Sequence, residues 1–209
     1  TLSDIEKITK PMKIYPEKTH QKSTIGYING LYTTDNGMGG ILPIQVIASK
    51  KITEDIITGN NCEAMKECIT VARTLTLQED SDFLELIKAN KAKKMGIHVH
   101  TRDITIEKDG PSAGAAVTLA ILSALYEFPI NYEVAVSGEI DLFGNILPVN
   151  GIYEKLVGAK KAGIKYVLIP EPNMYDIEES LKKDPEIIKF LTIKTISSIS
   201  EAITYIQKQ

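Results

Sequence analysis

Apolar residues along the chain alternate between the two-residue period of strands and the three-to-four-residue period of helices. Apolar and β-branched side chains fill residues 23–34 and again 40–49, and a turn-forming string rich in Gly, Asn and Asp separates them at 35–39. This arrangement predicts a hairpin. Residues 95–101 also alternate as a strand does. His98 and His100 therefore share one face, because strand side chains repeat every two residues.

Helical spacing is clearest between residues 60 and 77, where apolar side chains recur three and four positions apart. This segment predicts an amphipathic helix, with Asn60 or Asn61 as its N-terminal cap. Other spacings predict a helix at 81–89, strands at 134–140, 145–149, 166–169 and 190–194, and helices at 173–181 and 197–207. Strands mixed with helices, together with the early hairpin, indicate an α+β domain with a mixed β-sheet and packed helices.

Two further helices are predicted in the middle of the chain. Residues 112–126 are apolar nearly all round and rich in small side chains, which is typical of a helix buried between other elements. Pro111 suits the first position of this helix, because its missing N–H needs no acceptor there. Residues 151–162 predict a second helix, which Gly163 ends.

Domain organisation follows from where the periodicity begins. Residues 1–22 carry two prolines and several lysines without a steady period, so they predict a linker or lead-in from an upstream region. Residues 23–209 then form one domain, since 209 residues with 43% hydrophobic and 24% charged content are ordinary for a soluble globular protein.

Charge and cysteine content narrow the possible partners and compartments. The net charge of −3 gives no electrostatic footprint for nucleic acid. No run of 18 apolar residues exists and the N-terminus is polar, which argues against a membrane span or a secretion signal. Cys62 and Cys68 are six positions apart, which suits neither a helical disulfide nor a metal site. We therefore expect two buried apolar cysteines in an intracellular reducing compartment, such as the cytoplasm or the mitochondrial matrix.

A candidate nucleophile stands at the start of the buried helix, in the string KDGPSAG at 108–114. Serine and proline often begin helices for purely structural reasons, so Ser112 alone is weak support for catalysis. A hydroxyl at a helix N-terminus nevertheless lies beside unpaired backbone N–H groups, and these donors can stabilise the oxyanion that forms when a carbonyl is attacked.

A candidate base stands near the start of the later helix, at Lys155. Most lysines are surface residues with an apolar stem. To act as a base, Lys155 needs its pKa lowered from about 10.4 to near neutrality, which desolvation can provide. This requires a dry pocket in which neither Glu139 nor Glu154 pairs with the amine.

His98 and His100 suggest two alternatives to a serine–lysine site, namely a metal site and a catalytic triad. A metal site is disfavoured because no third ligand stands at a recognisable spacing. A Ser-His-Asp triad that uses Ser112, one of the histidines and Asp109 stays open, since such triads recur on unrelated folds.

Four segments carry a resemblance to a known family: IHVH at 97–100, KDGPSAG at 108–114, VSGEI at 136–140 and GNILPVNGIYEK at 144–155. In order and spacing they resemble the C-terminal proteolytic domain of Lon proteases. The resemblance spans roughly Ile25 to the C-terminus. It implies a fold shared with a ribosomal-protein domain and small-molecule kinases.

The resemblance also implies roles for individual residues. Ser112 would be the nucleophile and Lys155 the general base of a Ser-Lys dyad. Ser137 stands where the family usually has a threonine whose hydroxyl helps to hold the lysine. The remaining supporting residues implied for the active site are Asp109, His98, His100, Pro111 and Ala113.

Partners and cofactors are implied in the same way. Lon-like enzymes form six-membered rings whose AAA+ modules unfold polypeptides and deliver them to the peptidase sites. The chain has no G-x-x-x-x-G-K-[ST] loop. ATP and Mg are therefore expected only on an AAA+ module supplied in cis or in trans, and the chain itself is expected to need no cofactor.

Besides Ser137, the chain departs from the family pattern at three places. Residues 101–107 are more strand-like and charged than the usual loop, which bears on substrate selection. Residues 60–62 and Asn150 replace glycine-containing steps. Two other functions stay open: a catalytically silent Lon-like domain for ring assembly or binding, and a small-molecule kinase on the same fold, which the missing phosphate loop disfavours.

Overall fold

A computed structural model describes residues 21–78, 82–88, 94–102 and 110–209. In these ranges the helices are α1 (Glu63–Leu75), α2 (Asp82–Leu86), α3 (Gly114–Tyr126), α4 (Ile152–Ala162), α5 (Met174–Lys183) and α6 (Ile199–Ile206). Short 3-10 turns lie at Pro111–Ala113, Glu171–Asn173 and Ile187–Lys189. The strands are β1 (Thr24–Ile25), β2 (Tyr27–Thr33), β3 (Gly39–Ser49), β4 (Ile56–Thr58), β5 (Gly96–Thr101), β6 (Pro129–Ile130), β7 (Val134–Val136), β8 (Glu139–Ile140), β9 (Ile146–Leu147), β10 (Tyr166–Pro170) and β11 (Thr192–Ile196).

Seven strands form one mixed sheet in the order β11-β10-β7-β2-β3-β5-β4. Strands β11, β10, β7 and β2 run parallel to one another, β3 is antiparallel to both β2 and β5, and β4 is parallel to β5. Two small antiparallel ladders, β1 with β6 and β8 with β9, lie beside it. The α+β class with a mixed sheet is thus confirmed, as is the hairpin, which is formed by β2 and β3.

Helices cover both faces of this sheet. Ile28 and Ile44 belong to one apolar cluster with α1, α3 and α6. Leu31 and Ile41 point the other way and pack with α4 and α5. Because strand side chains alternate between faces, two adjacent strands contribute to both cores. Helices α3 and α4 consequently approach β2 and β3 from opposite sides.

Several predictions of individual elements are confirmed and others are wrong. Helix α3 is buried throughout 114–125, and α4 ends at Gly163, which has φ +83°. The predicted continuous strand at 134–140 is wrong. The chain leaves the sheet after Val136, since the Gly138 N–H donates to Ser112 O at 2.9 Å instead of to a neighbouring strand. Residues 1–20 lie outside the described ranges, so the predicted linker and domain boundary stay predictions.

The predicted asparagine cap of α1 is also wrong. No side chain caps this helix, which begins after Cys62. Asn61 instead donates from Nδ2 to Thr58 O at 3.0 Å and accepts at Oδ1 from Thr101 Oγ1 at 2.7 Å, so it ties β4 to β5. Cys68 is buried as expected, whereas Cys62 is only half-buried, and the two do not form a disulfide with each other. Among the described helices, none combines the length and hydropathy that a membrane crossing requires.

The backbone of β3 lies directly against the backbone of α4. A Cβ atom placed on Gly39 would fall 1.7 Å from the carbonyl oxygen of Glu154. A Cβ atom on Gly158 would fall 2.3 Å from the carbonyl carbon of Gly39. Only glycine permits so close an approach at both positions. The two glycines therefore set the distance between α4 and the sheet.

We expect Gly39→Ala to lower the free energy of unfolding by about 3 kcal/mol, the upper end of the range for overpacked sites. The added methyl group can be accommodated only if α4 moves away from β3. Urea unfolding followed by circular dichroism measures the change.

Gly37→Asn is the matched control. Gly37 lies two residues earlier with φ +71°, and a Cβ atom placed on it would have no neighbouring atom within 4 Å. Asparagine tolerates this conformation better than other non-glycine residues. The control should change the free energy of unfolding by no more than about 0.5 kcal/mol. Equal destabilisation by both substitutions would contradict the role given to Gly39.

Candidate active site

The start of α3 places the main-chain N–H of Ser112 beside its hydroxyl. Gly110 has φ +96° and turns the chain into the 3-10 turn Pro111–Ala113, which has proline at its start as predicted and no capping side chain. The Gly114 N–H donates to Pro111 O. Within the described part of the chain, no acceptor is found for the Ser112 N–H, whereas the Ala113 N–H belongs to the 3-10 turn that begins at Gly110. The Ser112 N–H is available to an oxyanion at this half-buried residue.

Contacts with the segment after β7 hold this turn in place. The Gly138 N–H and the Ser137 hydroxyl both donate to Ser112 O, at 2.9 and 3.3 Å. The Ala115 N–H donates to Gly138 O at 3.0 Å. Ser137 is fully buried. Its hydroxyl thus positions the main chain of Ser112, and no hydrogen bond between Ser137 and Lys155 is present among the described residues.

Lys155 lies near the start of α4 and is 2% exposed, which makes it one of the largest fully buried side chains in the described ranges. Burial lowers the pKa of its amine from 10.5 to about 8. No ion pair joins Lys155 to Glu139, Glu154 or any other described carboxylate. The two conditions that a lysine base requires, desolvation and the absence of a paired carboxylate, are therefore met within the described structure.

Ser112 and Lys155 line the same cavity of about 240 Å³. The other lining residues are Tyr32, Thr33, Gly110, Pro111, Glu139, Pro148, Val149 and Asn150. Ser112 reaches the cavity from the α3 side of the sheet and Lys155 from the α4 side. The two meet at the end of β2, where Tyr32 and Thr33 lie.

Asn173 supports one wall of this cavity, and sequence reasoning missed it. Its side chain accepts from the Val149 N–H and donates to Val149 O, both at 2.9 Å. Asn173 is 4% exposed, and it also donates to Asp176 Oδ2 at 2.6 Å. Tyr32 and Thr33 were missed as well. They are the last residues of β2, and their place on the cavity depends on how two distant helices meet that strand.

The two histidines lie together on β5, on one face as predicted. Thr58 Oγ1 is 2.9 Å from His98 Nε2 and 2.8 Å from His100 Nδ1. Neither histidine lines the cavity or contacts Ser112 within the described ranges. Asp109 lies outside those ranges. The Ser-His-Asp alternative therefore gains no support from the described geometry, and no group of three metal-binding side chains occurs in the described residues.

Three curated relatives of this chain are named as Lon proteases or a homologue of them. A "Lon protease homolog" of Acanthamoeba polyphaga mimivirus is 41% identical over 196 residues, which cover 90% of this chain and 19% of the relative. A "Lon protease" of Fervidobacterium nodosum is 37% identical over 203 residues, covering 94% and 24%. A "Lon protease" of Mycoplasma mycoides subsp. mycoides SC is 35% identical over 183 residues, covering 88% and 23%.

The chain thus spans about a fifth to a quarter of the length of these curated relatives. The family model described as "Lon protease (S16) C-terminal proteolytic domain" matches residues 1–207, which is nearly the whole chain. The chain belongs to the family of Lon C-terminal proteolytic domains.

Proposed function

We propose that this chain is a serine endopeptidase domain that cleaves polypeptides with Ser112 as nucleophile and Lys155 as general base. One observation carries the proposal. The amine of Lys155 is buried, has a pKa lowered to about 8, and shares a cavity with Ser112 without a described carboxylate partner. A lysine in this state holds a usable fraction of neutral amine near physiological pH.

The reaction proceeds in two stages. Neutral Lys155 Nζ accepts the proton of Ser112 Oγ while Oγ bonds to the substrate carbonyl carbon. The Ser112 N–H donates to the resulting oxyanion. When the carbon–nitrogen bond breaks, the departing amine takes the proton from Nζ and leaves an ester on Ser112. Water then attacks this ester, giving its proton to Nζ, and Ser112 regains a proton as the acid product leaves.

Substrates and partners belong to the same proposal. We propose that unfolded or delivered polypeptides are cleaved in a homo-hexameric assembly, with an AAA+ module that binds ATP and Mg and that acts in cis or in trans. The proposed compartment is intracellular and reducing, in keeping with Cys62 and Cys68, which do not form a disulfide with each other. A catalytically silent assembly domain would gain nothing from Lys155, because a buried unpaired amine destabilises the fold.

Ser112→Ala and Lys155→Ala should each lower the rate of peptide hydrolysis by about a thousandfold or more. The nucleophile and its base act in the same step, so the loss of either one removes the contribution of both. Cleavage of an unfolded protein and of a fluorogenic peptide by the full-length protein measures the loss. Ser200→Ala, on α6 and away from the cavity, is the control and should retain full activity. Unchanged hydrolysis in either cavity variant would overturn the dyad.

The pH dependence of kcat/KM should report the titration of Lys155. Because the neutral amine is the base, kcat/KM rises with pH, about tenfold per pH unit below 8, and levels off above pH 9. Peptide hydrolysis measured from pH 6 to 9.5 gives this profile. An inflection between pH 6 and 7 would instead favour a histidine base.

Lys155→Met should stabilise the fold at pH 7 while abolishing activity. The pKa of Lys155 is about 8 in the folded chain and 10.5 ordinarily. Between these values the unfolded chain binds more protons, so wild-type stability rises with pH through this window. At pH 7 the protonated amine destabilises the folded state by about 3 kcal/mol, and methionine removes this effect.

Urea unfolding at pH 7 and at pH 10 tests this expectation. The advantage of Lys155→Met should be clear at pH 7 and largely gone at pH 10. Lys161→Met on the exposed side of α4 is the matched control and should change stability by no more than about 0.5 kcal/mol at either pH. A destabilised Lys155→Met at pH 7 would show that the amine is not held in a dry environment.

A further inference from the structure

A second pocket of about 260 Å³ adjoins the cavity that holds Ser112 and Lys155. The two share Pro111 and Glu139 as lining residues. One wall of the second pocket comes from a single face of α1, where Ala64, Cys68 and Val71 recur at helical spacing. A substrate residue next to the reacting carbonyl at Ser112 would have this pocket within reach of its side chain.

The pocket is tied to the turn that carries the nucleophile. Cys68 Sγ donates to Pro111 O at 3.4 Å, directly before Ser112. The opposite wall is Ile140 of β8. The α1 wall of the pocket is therefore hydrogen-bonded to the turn that carries Ser112. A substrate side chain bound in the pocket would consequently place the substrate backbone at a fixed position relative to Ser112.

Two carboxylates, Glu67 and Glu139, complete the lining. Neither forms an ion pair in the described part of the chain. The charge of Glu139 acts on this pocket, since burial first and Glu139 second raise the pKa of the Cys68 thiol to about 12. The lowered pKa of Lys155 has burial as its cause. Glu139 therefore adds negative charge at the α1 wall of this pocket.

We infer that this pocket selects a lysine or arginine side chain of the substrate, at one fixed position next to the bond that is cleaved. The aliphatic stem would lie along Ala64, Val71 and Ile140, and the cationic end would reach Glu67 and Glu139. Long basic side chains combine an apolar stem with a charged tip, which is the pattern of this lining. The inference rests on the proposed peptidase function and names its substrate preference.

The first experiment maps every bond that the full-length protein cleaves in an unfolded substrate protein, by mass spectrometry of the products. Lysine and arginine should be enriched at one position beside the cleaved bond. The second uses quenched fluorescent peptides that differ only at that position, carrying Lys, Leu or Glu. The Lys peptide should exceed the Glu peptide in kcat/KM by about tenfold or more, because one peptide pairs with the carboxylates and the other is repelled by them.

Glu67→Gln should lower kcat/KM for the Lys peptide about fivefold, the effect of one partly exposed ion pair. The Leu peptide should change less than twofold, so the ratio of the two substrates reports the pocket rather than folding. Glu67→Lys should reverse the preference between the Lys and Glu peptides. High salt should weaken the wild-type preference, because exposed charges are screened.

Glu63→Gln is the matched control, one turn earlier on α1. It removes the same charge, but Glu63 pairs with Lys66 at 2.6 Å and does not line the pocket. The substrate ratio should stay within about twofold of wild type, since a screened charge outside the pocket has little effect.

The outcomes separate this inference from the peptidase proposal. Hydrolysis that depends on Ser112 but treats Lys, Leu and Glu peptides alike, or whose ratio is unchanged in Glu67→Gln, would overturn the pocket assignment and leave the peptidase intact. Absence of any Ser112-dependent hydrolysis would overturn the peptidase proposal, and the pocket assignment with it.

Discussion

The contact between the backbones of β3 and α4 at Gly39 and Gly158 is the constraint on which the candidate site depends. A helix this close to a sheet covers the side chains of its first turn that face the sheet. Lys155 lies on that turn and loses its solvent, and desolvation lowers the pKa of its amine. The role of Lys155 as a base thus depends on the absence of a side chain at Gly39 of β3 and at Gly158 of α4.

The second half of the site depends on a break in the sheet. Strand β7 ends at Val136, although the Ser137 N–H still donates to Leu168 O of β10. The Ser137 hydroxyl and the Gly138 N–H then donate to Ser112 O, and Gly138 O accepts from the Ala115 N–H. This segment holds the main chain of the nucleophile turn, and the Ser112 N–H stays available to a substrate oxyanion.

Short-range rules predict some parts of this fold from the sequence, and contacts between distant residues determine the rest. The turn residues at 35–39 predict the hairpin, and Gly163 predicts the end of α4. The dry environment of Lys155 could be stated only as a requirement, because it depends on which elements pack around α4. Asn61 has the sequence signature of a helix cap, yet its side chain bonds to a strand residue 40 positions away. Asn173 bonds to main chain 24 positions away. Such side chains acquire their roles only when the sheet order is known.

Glu139 is the charged residue common to the catalytic cavity and the second pocket. It lines both the cavity of Lys155 and the pocket beside α1. A carboxylate paired with Lys155 would hold the amine protonated and remove the base. The pKa of Lys155 is lowered by burial, and Glu139 contributes to the raised pKa of Cys68 in the second pocket. Because no ion pair joins Glu139 to Lys155 in the described structure, Glu139 can supply negative charge for a substrate side chain while the amine stays desolvated.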